Sequence, residues 1–192
     1  MLVEINLVPF QPVNFIDSFI CSFDTKCDSY SPATFSITYH LTGDLQWVRW
    51  PDEEGLQHFC DELWRHTCFE YFIGAEKKSS YCEVNQSPNG NWACYEFSNY
   101  RSRIIKSNKY CASGFYISRD SHECYARLEV PSYSTHSFFL GISTVIRDID
   151  DQLHYFAHSH PDNAPDFHDR AHHQLIMLET LWRVLPLALI LY

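Results

Sequence analysis

Residues 81–97 read YCEVNQSPNGNWACYEF, two alternating runs on either side of a turn signal. Pro88 presets one backbone angle and the Asn89–Gly90 pair tolerates positive φ, so the segment is predicted to reverse as a β-hairpin. Side chains alternate across a strand, and the number of loop residues therefore decides which of them share a face. With an even number, Tyr81, Glu83 and Asn85 line up with Trp92, Cys94 and Glu96, while Cys82 and Val84 join Ala93, Tyr95 and Phe97 against the core. On that count one face of the hairpin is polar and aromatic and the other apolar.

Period-2 alternation recurs in both directions from this hairpin. It marks VEINLVPF, FSITYHLTG, QWVRW and TCFEYFIG before it, and GFYISR, CYARLEV, FFLGISTVI and LHYFAHS after it. Helical periodicity is scarce, with DEEGLQHFCDELW at 52–64 the one predicted helical turn. Short strands at this spacing predict an all-β chain folded as a single β-sandwich of immunoglobulin-like or jelly-roll type, with few short helical turns. The domain is expected to span 1–178, closing with a strand at QLIML, and to be followed by an apolar C-terminal tail at 179–192. Glu179, Arg183 and Pro186 interrupt that apolar end, leaving runs far shorter than the roughly 20 residues of a membrane helix. The tail must instead cover its apolar face on the domain or on a second copy, so a homodimer through it is one expectation.

The charge balance narrows the function further. A formal net charge of −10 repels phosphate backbones and anionic lipid, which argues against nucleic acid and membrane as partners. Aromatic residues make up 16% of the chain, and many stand beside polar residues, so stacking surfaces are expected. The start MLVEINLVPFQPVNF has no basic stretch before its apolar residues and reads as no secretory signal, which makes a cytoplasmic location the expectation. The eight cysteines form no CxxC pair and are expected to be buried thiols rather than disulfides.

Four blocks, LWRHTCFEYFIG, YCEVNQSPNGNWACYEFSNYR, LGISTVI and AHSHPDNAPDFHD, occur in order between Leu63 and Asp169. Together they resemble the DOMON-like proteins related to family 9 carbohydrate-binding modules. The resemblance implies a β-sandwich with one curved, ligand-facing sheet, and a role in binding a sugar or haem. Haem-binding relatives use an axial methionine and histidine; this chain has only Met1 and Met177, so haem is not expected, nor any other cofactor. In the family the PDFH block closes one end of the sandwich, which implies that Asp166 caps backbone amides and Phe167 plugs the core.

A sugar site combines aromatic platforms for the apolar CH faces with Glu, Asp, Asn, Arg or His for the hydroxyls. The polar hairpin face has that composition: Trp92 as platform, Glu83 and Asn85 as hydroxyl partners, and Arg101 just beyond as a clamp. WRHTCFEYF, residues 64–72, alternates likewise, with Phe69 and Tyr71 on the core side and Trp64, His66 and Glu70 on the other. If its strand neighbours the hairpin, Glu70 and Glu83 lie on one concave face, with His158, Asp166 and His168 closing it. Such a carboxylate pair could serve glycoside cleavage, but binding asks less of it and ranks above catalysis. The expected function is thus a non-catalytic domain for a small polar ligand, most plausibly a saccharide.

Two rivals remain open on sequence. His66, Cys68 and Glu70 lie about 6.8 Å apart stepwise along a strand and cannot share one ion. His158 and His160 could pair on a metal ion, which would suit a metal-dependent, cupin-like enzyme. A dimerising interaction domain is the other. No nucleophile elbow or phosphate loop supports further chemistry.

Overall fold

The computed structural model describes residues 2–26, 34–52, 57–106, 114–130 and 137–177. Its strands are β1 (Leu2–Asn6), β2 (Val8–Pro9), β3 (Ile16–Lys26), β4 (Thr34–Gly43), β5 (Cys68–Ala75), β6 (Tyr81–Gln86) and β7 (Trp92–Asn99). They continue as β8 (Ser102–Lys106), β9 (Gly114–Arg119), β10 (Glu123–Val130), β11 (Ser137–Arg147), β12 (Leu153–Ala157) and β13 (Gln174–Met177). Two antiparallel sheets face each other as a β-sandwich. One runs β1-β3-β4-β10-β9, and the other runs β2-β12-β11-β5-β6-β7-β8. β13 pairs with the first part of β11 and β12 with its last part, so the predicted closing strand sits on the larger sheet.

The alternation of the sequence builds the core between these sheets. Phe19, Cys21 and Phe23 of β3, Phe35, Ile37, Tyr39 and Leu41 of β4, and Cys124, Ala126 and Leu128 of β10 meet Phe69, Tyr71 and Ile73 of β5, Val84 of β6, and Phe138, Leu140 and Ile142 of β11. Each large apolar side chain buried this way contributes about 1.5–3 kcal/mol relative to exposure. The Tyr39 hydroxyl donates to the Glu70 main-chain oxygen at 2.6 Å, so a polar tip in this layer also ties the sheets together. Cys21, Cys68, Cys82, Cys94 and Cys124 are buried free thiols, and Cys60 is a half-buried one.

Several expectations need correction. QWVRW is no strand: Leu45–Trp47 form a 3-10 turn, and Val48 makes only an isolated bridge to Asp148. In DEEGLQHFCDELW, residues 57–64 form no α-helix; Phe59 bridges Trp92 and a 3-10 turn follows at Leu63–Arg65. β3 was not anticipated, although Phe19, Cys21 and Phe23 alternate along it; a register shift between Ile16 and Ser18 marks its start. The hairpin loop holds residues 87–91, an odd number, so odd positions pair with odd: Glu83 with Tyr95, Asn85 with Ala93, Tyr81 with Phe97. The faces of β7 are therefore the reverse of the expected ones. The loop is closed by Ser87 N–H to Asn91 O at 2.8 Å and Gly90 N–H to Ser87 O at 2.9 Å, with Gly90 at φ +92°, where any Cβ would also strike Gln57. The tail at 179–192, and with it the dimerisation expectation, lies outside the described residues.

Candidate functional site

The outer face of the larger sheet is not open. β5 and β6 are buried on both sides along nearly their whole length, because two segments roof them. The first is the 3-10 turn at Leu63–Arg65, entered through Glu62 in the left-handed region at φ 59°. The second is the 159–173 loop, which carries Phe167 and His168 over the strands. Asp169 caps a 3-10 turn at Arg170–His172 by accepting from Ala171 N–H at 2.9 Å. Arg170 reaches the main-chain oxygens of Lys78 and Ser80. The His173 ring packs directly on Gly141 of β11, where any side chain would exclude it.

Between sheet and roof lies a cavity of about 570 Å³, a size that holds one or two sugar rings. Its floor is Glu70 and Phe72 of β5, Glu83 of β6, and Tyr95 and Phe97 of β7. Its rim is Trp64 and Arg65 from the turn, Arg101 and Arg103 at the edge strand, Val145, Leu153 and Tyr155 from β11 and β12, and Pro165, Phe167 and His168 from the loop. The Trp64 ring stands edge-on to Tyr95 at 5.6 Å, and Phe97 lies flat on Tyr81 at 4.7 Å. The walls are thus locked aromatic surfaces.

Among the described residues, neither floor carboxyl makes an ion pair with Lys or Arg, though the charges of Arg103 and Arg101 reach Glu83. Glu70 accepts from the Ser143 hydroxyl at 3.1 Å and the Cys68 thiol at 3.4 Å. Burial, with the Glu83 charge adding to it, pushes Glu70 up to about 8. Glu83 accepts from the Asn85 amide at 2.7 Å, and burial raises it to about 7. At neutral pH the floor therefore presents a protonated Glu70, able to donate, beside a partly ionised Glu83, able to accept. His168 Nε2 stands 3.6 Å from Glu83, while its Nδ1 meets the Tyr81 hydroxyl at 2.7 Å. That hydroxyl accepts from Arg101 N–H at 3.1 Å. Burial lowers His168 to about 4, so it is a neutral ring at pH 7. Arg101, at φ 52°, is pinned by Asp166 at 2.8 Å, and Asp166 also accepts from Tyr100 and from His168 N–H. The amide-capping role expected of Asp166 is present.

The structure sorts the predicted site residues accordingly. Trp64, Glu70, Glu83, Arg101 and His168 meet in the cavity. Asn85 is fully buried behind it and steadies Glu83; Asp166 braces the rim. Trp92 lies on the opposite face, packed on the core and edge-on to Phe59, because the odd loop turns it inward. His66 is also outside: strand alternation begins only at Cys68, and His66 sits beyond the turn against Arg147, at 3.1 Å. His158 is exposed, and His160 Nε2 bonds the Val8 oxygen at 2.9 Å while its ring packs between Phe10 and Phe167. His158 and His160 thus have different surroundings, and among the described residues no three His, Cys, Asp or Glu are grouped as a metal site. Sequence reasoning missed Tyr95, Phe97, Arg103 and Tyr155; counting the five loop residues would have found the first two.

No family model matches the chain, and no curated protein matches it. Among solved structures, a "putative carbohydrate-binding protein" from Bacteroides uniformis aligns with a TM-score of 0.54 at 13% identity, covering 90% of this chain and 86% of that one. A family 9 carbohydrate-binding module from Caldicellulosiruptor kristjanssonii, in complex with glucose, aligns at 0.41 and 10% identity, covering 84% and 77%. Only the first is near enough to speak for a shared fold, and at that identity it speaks for the fold alone.

Proposed function

We propose that this chain is a DOMON-like binding domain that holds a saccharide in the roofed cavity without transforming it. The observation that carries the reading is the composition of the cavity wall: Trp64, Phe97 and Tyr155 offer aromatic surface, while Glu70, Glu83, Arg101 and His168 offer donors and acceptors to hydroxyls. The fold neighbour described as carbohydrate-binding agrees with it. Binding is favoured over glycoside cleavage because it asks only that the carboxyls exchange hydrogen bonds with sugar hydroxyls. In cleavage, two carboxyls must flank the scissile bond.

The reading is tested by ligand-detected NMR with a panel of pyranose monosaccharides and disaccharides. Binding is expected at millimolar or lower concentration, weakened by Phe97→Ala. A panel with no binder at 10-fold higher concentration would sink the saccharide reading.

A further inference from the structure

The chain carries a formal net charge of −10, yet three guanidiniums, Arg65, Arg101 and Arg103, line one cavity. Two of them are already answered. Arg65 pairs with Glu62 at 3.3 Å and Arg101 with Asp166 at 2.8 Å. Arg103 differs: its guanidinium lies over the Tyr95 ring, 4.9 Å from the centroid, and no carboxylate among the described residues comes within ion-pair distance. Stacking on Tyr95 holds the planar fork in place at the cavity wall, where its charge reaches Glu83 without forming an ion pair, and leaves its N–H edge for an acceptor.

The geometry points to a saccharide bearing a carboxylate, a uronic acid, with the acid group on the Arg103 fork and the ring hydroxyls on Glu83 and Glu70. This rests on the saccharide reading and narrows it. A planar carboxylate matches one guanidinium by two parallel bonds, and a phosphate, which the same fork can also hold, is the competing anion that the test includes. The floor does not oppose an anion as two ionised carboxylates would, since burial keeps Glu70 protonated and Glu83 partly so at neutral pH. Neutral sugars would bring Arg103 no charge beyond that of Glu83, only partly ionised, which makes the carboxylate the feature that discriminates.

Titration calorimetry of the full chain with glucose, galactose, glucuronate, galacturonate and glucose 6-phosphate tests this. At least one uronate is expected to bind tenfold or more tightly than its neutral parent, and Arg103→Gln is expected to abolish that ratio while the melting temperature holds. Neutral parents binding as tightly as the acids would overturn the inference and leave the saccharide reading standing. The phosphate binding more tightly than the uronates would also overturn it. If no sugar binds, both fall together.

Discussion

The two sheets differ in how many of their faces are buried. In the five-stranded sheet, β10 alternates buried and exposed residues down its length, and Tyr116 and Tyr125 stand on an outer face open to solvent. In the larger sheet, β5 and β6 are buried front and back. The same period-2 strand thus makes a plain wall in one sheet and a second, roofed layer in the other. The roof, made of two connecting segments, turns an outer face into a cavity lined with rings and carboxyls. Removing a ring from each outer face gives the sharpest contrast. Phe72→Ala, inside the roofed layer, is expected to cost about 3–5 kcal/mol by urea denaturation, as a core truncation does. Tyr116→Ala on the open face is expected to stay within about 0.5 kcal/mol. Equal losses at the two sites would break the contrast.

The roof also changes how stability responds to pH. Glu70 is raised from 4.5 to about 8 in the folded chain, and Glu83 from 4.5 to about 7. A carboxyl that holds its proton more tightly when folded favours the fold fully below its unfolded pKa. That contribution is lost as pH rises through the folded value. Stability is therefore expected to fall by several kcal/mol, roughly 4–6, between pH 5 and 8.5. Glu70→Gln, which keeps the shape without the charge, should flatten much of that slope in a pH series of melting curves. A slope unchanged by the substitution would mean that the floor carboxyls are not the cause.

How much of this was legible in the sequence follows the same division. Strands with one wet face announce themselves, so β9 and β10 fall where alternation put them. Alternation also placed Phe69, Tyr71 and Ile73 in the core and left Glu70 on the opposite face with Glu83, whose strand is its neighbour. Apart from the missed β3 and the misread QWVRW, what failed depended on a count or on the end of a regular element. The five-residue loop reversed the faces of β7, bringing Tyr95 and Phe97 to the cavity and sending Trp92 to the core. The 3-10 turn before Cys68 broke the alternation of 64–72, so Trp64 and Arg65 both reach the cavity while His66 does not. Arg103 lies on a short edge strand with no pattern to mark it. Its place depends on the pairing of β8 with β7, a long-range fact no local period records.

The third test sets Trp64 against His66, neighbours in sequence that the turn separates in space. Trp64→Ala removes a ring from the cavity rim and is expected to weaken saccharide binding by about 1–2 kcal/mol, of order tenfold, in titrations. His66→Ala, on the far side of the turn, should leave affinity within twofold. The reverse ranking would return the site to the straight-strand reading of 64–72.

The smallest effect belongs to the ion pair at the cavity rim. Arg101 is about half exposed and Asp166 about one-fifth exposed, so solvent and salt screen their attraction even at 2.8 Å. Asp166→Asn keeps an acceptor for His168 N–H and removes only the charge. Its cost is expected to lie between about 0.2 and 1 kcal/mol, shrinking in 0.5 M salt. Because Asp166 also steadies Arg101 in its left-handed conformation, affinity for a sugar should fall more than stability does. A loss of stability matching that of Phe72→Ala would instead make the pair a structural member of the roofed layer, as fixed as the rings beneath it.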